Sequence, residues 1–176
     1  GYKGAMFPWE SAETGVEETP VWALSGPFEH HITADVALAA WNYYSVTQDT
    51  NWLREKGWPL LSLTADFWAS RVERNGPNHY DIKNVVAADE WAENVDNNAF
   101  TNAAAIANLK AAIATANILG MKANADWQHV ADNIPILKMG NGVTQEYAGY
   151  IDTGIKQADV NLLAYPLKTI TDTNQI

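Results

Sequence analysis

The chain has 176 residues, a formal net charge of −10, eight Trp, seven Tyr and no Cys. This length allows one domain with a substantial core. The lack of Cys excludes disulfides, thiol catalysis and thiolate metal ligands. The negative charge argues against a nucleic-acid partner, because proteins that bind nucleic acid gain affinity by neutralising phosphates with Lys and Arg.

No run of apolar residues approaches the roughly 18 that a membrane span needs, so we expect no membrane partner. No signal peptide is visible, and a soluble protein in the cytoplasm, in the periplasm or outside the cell fits equally well. The absence of an Asn-x-Ser/Thr site favours a bacterial source. The sequence has no Gly-rich phosphate loop and no Gly-x-Ser-x-Gly elbow, and we expect no cofactor.

The first half of the chain reads as a loop followed by two helices. Residues 1–29 lack periodicity and are rich in Gly and Pro, which indicates a long loop. Apolar residues at three-to-four spacing predict a helix over 32–47. Asp49 and Thr50 are predicted to cap a second helix over 50–73, which Pro59 should break into two pieces.

The second half continues the helical pattern after a short β-branched stretch at 80–86, which indicates an extended segment. Gly120 is a natural residue to end a helix, and residues 138–155 are predicted to be an irregular loop. Three further helices are predicted, over 101–119, 124–134 and 156–167. The fold class is therefore all-α, and the order of loops and helices fits an αα-toroid or an irregular bundle. Five helices do not close a toroid.

The segment 86–102 carries the most functional information. It contains four carboxylates and four Asn within seventeen residues, with Trp91 directly after Glu90. Carboxylates and amides hydrogen-bond sugar hydroxyls, and flat aromatic rings pack on the apolar faces of pyranoses. The composition of this segment therefore predicts a carbohydrate site.

Glu90 is the first candidate for chemistry. Its neighbours Ala87, Ala88 and Trp91 are apolar, and Asp89 adds a negative charge. Burial and a like charge both raise the pKa of a carboxyl, as a general acid needs near neutral pH. The alternative is a solvated Glu or one that caps a helix.

Several polar neighbours have two interpretations. They either bind hydroxyls and orient the glutamate, or serve as turn and helix N-cap residues. The acids lack the EF-hand spacing and its Gly, so we expect no metal. The residues concerned are Asp89, Asp96, Asn97, Asn98 and Asn102.

Other candidates lie in the loops. Trp9 beside Glu10 is either a sugar platform or part of a loop held by its aromatic residues. His30 and His31 are too close for a two-His metal pair on one helix face, which needs i,i+4 spacing. An N-cap contact or a supporting hydrogen bond is expected instead. Roles in ligand binding or at the surface stay open for Glu146, Tyr147, Tyr150, Lys156 and Gln157.

Six short motifs follow one another along the chain: Gly1-Tyr2-Lys3-Gly4-Ala5 leading into Phe7-Pro8-Trp9-Glu10; Glu29-His30-His31-Ile32 followed by Ala34-Asp35-Val36-Ala37; Phe67-Trp68-Ala69-Ser70-Arg71; Asp89-Glu90-Trp91; Val95-Asp96-Asn97-Asn98-Ala99-Phe100-Thr101-Asn102; and Ile155-Lys156-Gln157-Ala158-Asp159-Val160. In this order they resemble the catalytic domain of glycoside hydrolase family 65. That family contains disaccharide phosphorylases, acid trehalases and α-glucoside hydrolases.

The resemblance implies an (α/α)6 barrel and an inverting mechanism. Glu90, in the family's Asp-Glu-aromatic motif, would be the general acid that protonates the glycosidic oxygen. In inverting enzymes the reacting groups stand about 6.5–9.5 Å apart to leave room for the nucleophile. The subsite for the non-reducing glucose would be lined by Trp9, Glu10, Lys156 and Gln157. Supporting positions would be Asp89, Trp91, His31 and Asn97.

The resemblance also implies that residues 1–176 form a partial barrel domain, incomplete at both ends, with about half of the helices. An aromatic-Asp motif expected before Gly1 is not in this sequence. Nor is the segment expected after Ile176, which carries a base glutamate in hydrolases or a phosphate-binding loop in phosphorylases. The remainder of its own catalytic domain is thus an expected partner, and we expect little turnover from these 176 residues alone.

The acid motif reads Ala87-Ala88-Asp89-Glu90-Trp91-Ala92, where the family's phosphorylases usually read Gly-Pro-Asp-Glu-Tyr-His. This difference favours the hydrolase branch. The prediction is therefore an inverting hydrolase that cleaves a small α-linked glucoside. A phosphorylase that uses inorganic phosphate is the first alternative, and an inactive or sugar-binding fragment is the second.

Overall fold

Helices form the framework of the chain in the computed structural model, which describes residues 1–172. The last four residues of the predicted partial domain, 173–176, lie outside the described residues. The elements are α1 (Ser25–Phe28), α2 (His31–Thr47), α3 (Thr50–Trp52), a π turn (Leu53–Gly57), α4 (Trp58–Arg71), β1 (Glu73–Arg74), β2 (Tyr80–Asp81), α5 (Ala99–Leu119), α6 (Ala125–Asn133) and a 3₁₀ turn (Val160–Leu163).

The predicted break at Pro59 takes the form of a change in hydrogen-bond spacing. Asp49 caps α3 by accepting from the backbone N–H groups of Asn51 and Trp52. The π turn follows, and Pro59 then lies in the first turn of α4, where its missing N–H costs little. Gly57 keeps right-handed helical dihedrals, so the chain continues in one helical path from α3 to the end of α4.

Helix α5 is the centre of the fold and packs against α2, α4 and α6. Asn98 caps it by accepting from the N–H of Thr101, and Gly120 ends it with φ +66°, as predicted. Many of its buried residues are Ala, which lets the neighbouring helices approach closely. The core between these helices includes Phe67, Trp68 and Leu109.

The fifth helix predicted over 156–167 is wrong, since only Val160–Leu163 form a short 3₁₀ turn. Asp159 has φ −140° and ψ −83°, outside the helical region. Its carboxylate accepts from Asn98 Nδ2 at 2.8 Å and from the N–H of Phe100 at 3.4 Å. This anchoring to the start of α5 overrides the local helical pattern.

The segment predicted to be extended, 80–86, is only partly so. Strand β2 pairs antiparallel with β1, and Val85 then forms an isolated bridge with Val95. Between these two Val residues the chain makes a narrow loop, which holds the predicted acid motif. Among residues 1–172, no helix is long and apolar enough to cross a membrane.

Candidate active site

The Asp89-Glu90-Trp91 motif forms a tight turn at the tip of the narrow loop. The N–H of Ala92 donates to the carbonyl of Asp89 at 2.8 Å, so Glu90 and Trp91 occupy the two central positions of the turn. Asp89 Oδ1 also accepts from the N–H of Trp91 at 3.2 Å. The turn therefore projects Glu90 and Trp91 away from the core.

Asp89 joins this turn to the segment that carries Lys156. The carboxylate of Asp89 is buried, and its Oδ1 accepts from the backbone N–H of Lys156 at 2.9 Å. The ammonium of Lys156 in turn lies 2.5 Å from Glu90 Oε2. This hydrogen bond to Glu90 raises the pKa of Lys156. Glu90 and Lys156, which are far apart in sequence, are thus held in contact.

The burial predicted for Glu90 is wrong. Ala87 and Ala88 are buried, but the Glu90 side chain is 33% exposed and faces an ammonium group. Trp91 is 67% exposed. The turn geometry explains the difference, because it packs the two Ala residues inward and directs the next two large side chains outward.

A buried ionic group lies next to the acid turn. His31, the first residue of α2, sits between two carboxylates, with Nε2 2.9 Å from Glu29 Oε1 and Nδ1 2.7 Å from Asp35 Oδ2. Burial alone would lower the pKa of His31, but these two hydrogen bonds outweigh it and raise the pKa to about 9. His31 is therefore an imidazolium at neutral pH.

Glu29 is the member of this group whose pKa is affected by the charges of Glu90 and Lys156. Burial raises the pKa of Glu29, the Glu90 carboxylate adds to this, and His31 and Lys156 act against it. Its Oε2 atom is buried and has no hydrogen-bond partner among residues 1–172. A buried carboxylate oxygen without a hydrogen bond is costly, in keeping with the raised pKa of Glu29.

Trp9 and Glu10 lie on a loop organised by Glu17. Glu17 Oε2 accepts from the N–H of Trp9 at 2.6 Å, and Oε1 accepts from the N–H of Glu10 at 3.2 Å and from Thr19. The Trp9 ring meets the His31 ring edge-on at 5.7 Å, so Trp9 reaches the ionic group beside the acid turn. The Glu10 side chain is exposed.

Gln157 lines a cavity whose described lining residues do not include Glu90. This cavity, of about 470 Å³, is lined by Gln157, Tyr150, Glu146 and Asp159 among others. Burial, with the carboxylates of Asp159 and Asp89 nearby, raises the pKa of Glu146 to about 7. Its Oε1 is buried without a hydrogen-bond partner among residues 1–172.

The pKa of Glu146 leads to a stability prediction. A folded-state pKa of about 7, against an ordinary value of 4.5, means that Glu146 favours the fold below pH 4.5 and that this contribution is lost as the pH rises through 7. Glu146→Gln mimics the protonated form. We expect it to match the wild type near pH 5 and to be more stable near pH 8 by up to about 2–3 kcal/mol.

Chemical denaturation at the two pH values measures this difference. Glu55→Gln is the matched control, because Glu55 is an exposed carboxylate on the π turn. An identical effect of Glu146→Gln at both pH values would contradict the prediction.

The Asx residues around the turn serve the loop rather than the acid. Asn97 Oδ1 accepts from the N–H of Ile82 at 3.1 Å, and its Nδ2 donates to Asp81 Oδ1 at 2.8 Å. Asp96 Oδ1 accepts from the N–H of Asn84 at 2.9 Å. These bonds close the base of the loop that carries Glu90.

Within residues 1–172, no cluster of three or more acidic or His side chains is arranged to hold a metal ion.

Four carboxylates of the region escaped or were undervalued by sequence reasoning. Glu17 accepts from backbone N–H groups of its own loop, and Asp159 accepts from Asn98 and Phe100, which are far away in sequence. Neither role leaves a recognisable local pattern. Glu29 stands directly before the His pair, and its place in the Glu29-His30-His31-Ile32 motif was the available signal. Glu146 was left open between ligand and surface roles, and its burial now separates it from the surface.

Comparison with known proteins gives consistent results. The model of the glycosyl hydrolase family 65 central catalytic domain matches residues 1–175. The chain is 73% identical over 175 residues to a kojibiose hydrolase of Mucilaginibacter mallensis, covering 99% of the chain and 26% of that protein. It is 65% identical over 176 residues to a kojibiose hydrolase of Flavobacterium johnsoniae, covering all of the chain and 26% of that protein.

A solved structure supports the same assignment of the fold. The chain superposes on "Putative kojibiose phosphorylase from human microbiome" with a TM-score of 0.72 at 19% identity, over 83% of the chain and 21% of that structure. This confirms the predicted fold class, part of an (α/α)6 barrel. The chain spans about a quarter of the length of the two kojibiose hydrolases. The chain belongs to glycosyl hydrolase family 65, since the model of that family's central catalytic domain matches residues 1–175.

Proposed function

We propose that the chain is part of the catalytic domain of an inverting α-glucoside hydrolase that acts on a small disaccharide, with kojibiose as the first substrate to test. The observation that carries the proposal is the geometry of the acid turn, which directs Glu90 outward. Asp89 accepts a hydrogen bond from the backbone N–H of Lys156, and the Lys156 ammonium contacts the Glu90 carboxylate. The high identity to two kojibiose hydrolases supports both the reaction and the substrate.

In this reaction Glu90 is the general acid. Its carboxyl proton passes to the glycosidic oxygen as the bond from that oxygen to the anomeric carbon breaks. A water molecule attacks the anomeric carbon from the opposite face, and a base takes the proton that this water loses. Glucose leaves with inverted anomeric configuration, and the base lies on a part of the domain outside residues 1–176.

The Lys156 ammonium has two alternative partners in this scheme, Glu90 and the substrate. In the absence of substrate its ammonium pairs with Glu90. A glucose hydroxyl is an alternative partner for the same ammonium. With substrate bound, Glu90 leaves this ion pair, takes up a proton from solvent and turns to the glycosidic oxygen. Trp9 and Glu10 complete the glucose subsite with Lys156, and Gln157 joins it from the segment that also lines the cavity beside Glu146. Asp89, Trp91 and His31 support it, and Asn97 contributes only by closing the base of the loop that carries Glu90.

In this proposal the active site is divided between residues 1–176 and the rest of the catalytic domain. Residues 1–176 contribute the acid and one side of the glucose subsite, and the remaining segments contribute the base. These residues alone should therefore release little or no glucose. Strong glucose release by the purified 176-residue chain would contradict this division of the site.

Product analysis with and without inorganic phosphate tests the hydrolase against the phosphorylase. The full-length protein is incubated with kojibiose in phosphate-free buffer and in buffer with added phosphate. We expect free glucose as the sole monosaccharide product in both, at equal rates. Glucose 1-phosphate formed only with phosphate would establish the phosphorylase, and tight kojibiose binding without turnover would establish a sugar-binding protein.

Trp9→Ala is expected to raise KM for kojibiose by about tenfold, more than it lowers kcat. Its indole, edge-on to His31, offers a flat apolar face to a glucose ring, and such aromatic contacts contribute about 0.5–1.5 kcal/mol beyond their buried area. Steady-state kinetics of the full-length protein measures both constants. Unaltered kinetics would leave Trp9 as a structural anchor of the loop.

A further inference from the structure

Glu90 must hold a proton to act as an acid, yet the structure pairs it with a cation. The Lys156 ammonium lies 2.5 Å from Glu90 Oε2. A positive charge at this distance favours the ionised carboxylate, which has no proton to donate to the glycosidic oxygen. The reaction therefore needs a second position for the Lys156 charge before Glu90 can take up its proton.

Glu29 is a buried carboxylate that uses only one of its two oxygens. Its Oε1 accepts from His31 Nε2 at 2.9 Å. Its Oε2 has no hydrogen-bond partner within the part of the chain that the structure describes, residues 1–172, and the residue is only 2% exposed. Burial raises the pKa of Glu29, so a second cation at this carboxylate would stabilise its ionised form.

The backbone ties Glu29 to the loop that carries Glu90. The N–H of Val86 donates to the carbonyl of Phe28, the residue before Glu29, at 3.1 Å. The charges of Glu90 and Lys156 both act on the Glu29 carboxylate. Lys156 carries three N–H donors on a flexible stem, so its ammonium can contact a glucose hydroxyl and a carboxylate at the same time.

We infer that Glu29 is a positioning residue for proton donation, which takes over the Lys156 ammonium when a glucoside binds and leaves Glu90 free to hold its proton. This inference rests on the proposed function. Glu29 acts in two ways that have the same direction. It replaces Glu90 as the acceptor for Lys156, and its own negative charge disfavours ionisation of Glu90.

Other charged groups also face Glu90, and the test has to separate them from Glu29. Asp89 precedes Glu90 in the acid turn, and Glu93 lines one cavity with it. His31, an imidazolium, is bound to Glu29 itself. All three groups remain in a Glu29→Gln variant, so a change in that variant belongs to Glu29 or to its pair with His31.

The test is the pH dependence of kcat for the full-length protein on two substrates that share the glucose. Kojibiose needs a proton on its leaving oxygen, whereas α-glucosyl fluoride does not. Glu29→Gln keeps an acceptor for His31 but removes the negative charge. On kojibiose, the fall of kcat on the alkaline side should move to lower pH by about one unit, which lowers kcat above that pH about tenfold. On the fluoride the change should be much smaller.

Asp35→Asn is the matched control, because Asp35 binds the other nitrogen of His31, Nδ1, at 2.7 Å. It should leave the alkaline fall of kcat at the wild-type pH. The same shift in both variants would assign the effect to the charge of His31 and overturn the inference. An unmoved fall in Glu29→Gln, or equal losses on the two substrates, would also overturn it.

Glu29→Asp decides the outcome if circular dichroism shows that Glu29→Gln does not fold. Asp keeps the charge but withdraws it by one carbon, so a smaller shift in the same direction is expected, and an unmoved fall of kcat would contradict the inference alone. A wild type that cleaves neither substrate would overturn the proposed function and the inference with it.

Discussion

Replacement of Glu90 by Gln should lower kcat on kojibiose by about 10²–10⁴-fold, the usual contribution of a positioned general acid. Gln is nearly isosteric with Glu but has no proton to donate to the glycosidic oxygen. The loss should be far smaller on α-glucosyl fluoride, because fluoride departs without protonation. Steady-state rates on the two substrates give the comparison directly.

Two further variants make this result specific to the acid. Glu55→Gln removes an exposed carboxylate on the π turn and should keep wild-type rates. Far-UV circular dichroism of Glu90→Gln should match the wild type, since Glu90 is partly exposed and its contact with Lys156 is the one hydrogen bond shown for its side chain among residues 1–172. An unchanged kcat on kojibiose would remove Glu90 from the mechanism.

Asp89→Ala should lower kcat on kojibiose by about 10²-fold, because the acid turn that carries Glu90 is no longer held in place. Asp89 accepts from the N–H groups of Trp91 and Lys156, so its removal frees both the acid turn and the segment opposite it. A displacement of about 1 Å at a reacting group is enough for a loss of this size. The effect should appear mainly in kcat.

Asp89→Asn separates position from charge. Both hydrogen bonds are accepted by one oxygen, Oδ1, which Asn retains. This variant should therefore keep most of the activity that Asp89→Ala loses. Equal losses in the two variants would mean that the negative charge of Asp89, and not its hold on the turn, is what the reaction needs.

Periodicity in the sequence predicted α2, α4, α5 and α6 within a few residues, because each has apolar residues at helical spacing. The failure at 156–167 has a definite physical cause. Asp159 accepts hydrogen bonds from Asn98 and Phe100 at the start of α5, 61 and 59 residues earlier in the chain. Such a contact leaves no mark in a local pattern.

The sequence predicted which residues form the candidate site better than it predicted the burial and contacts of those residues. Ordered motifs pointed to Glu90 and Lys156, and the structure brings their side chains into contact. The prediction that apolar neighbours bury Glu90 was wrong, because in a tight turn adjacent residues point in different directions. The partners of His31, by contrast, are local in sequence, since Glu29 stands two residues before it and Asp35 lies one turn along α2.

The anomeric configuration of the first glucose formed tests the central claim most directly. The full-length protein is mixed with kojibiose in phosphate-free buffer, and proton NMR spectra are recorded before the product mutarotates. Direct attack by water opposite the leaving group, with Glu90 as the acid, predicts that the glucose cleaved from the α-linkage appears first as the β-anomer. Initial appearance of that glucose as the α-anomer, or no glucose at all until phosphate is added, would contradict the account.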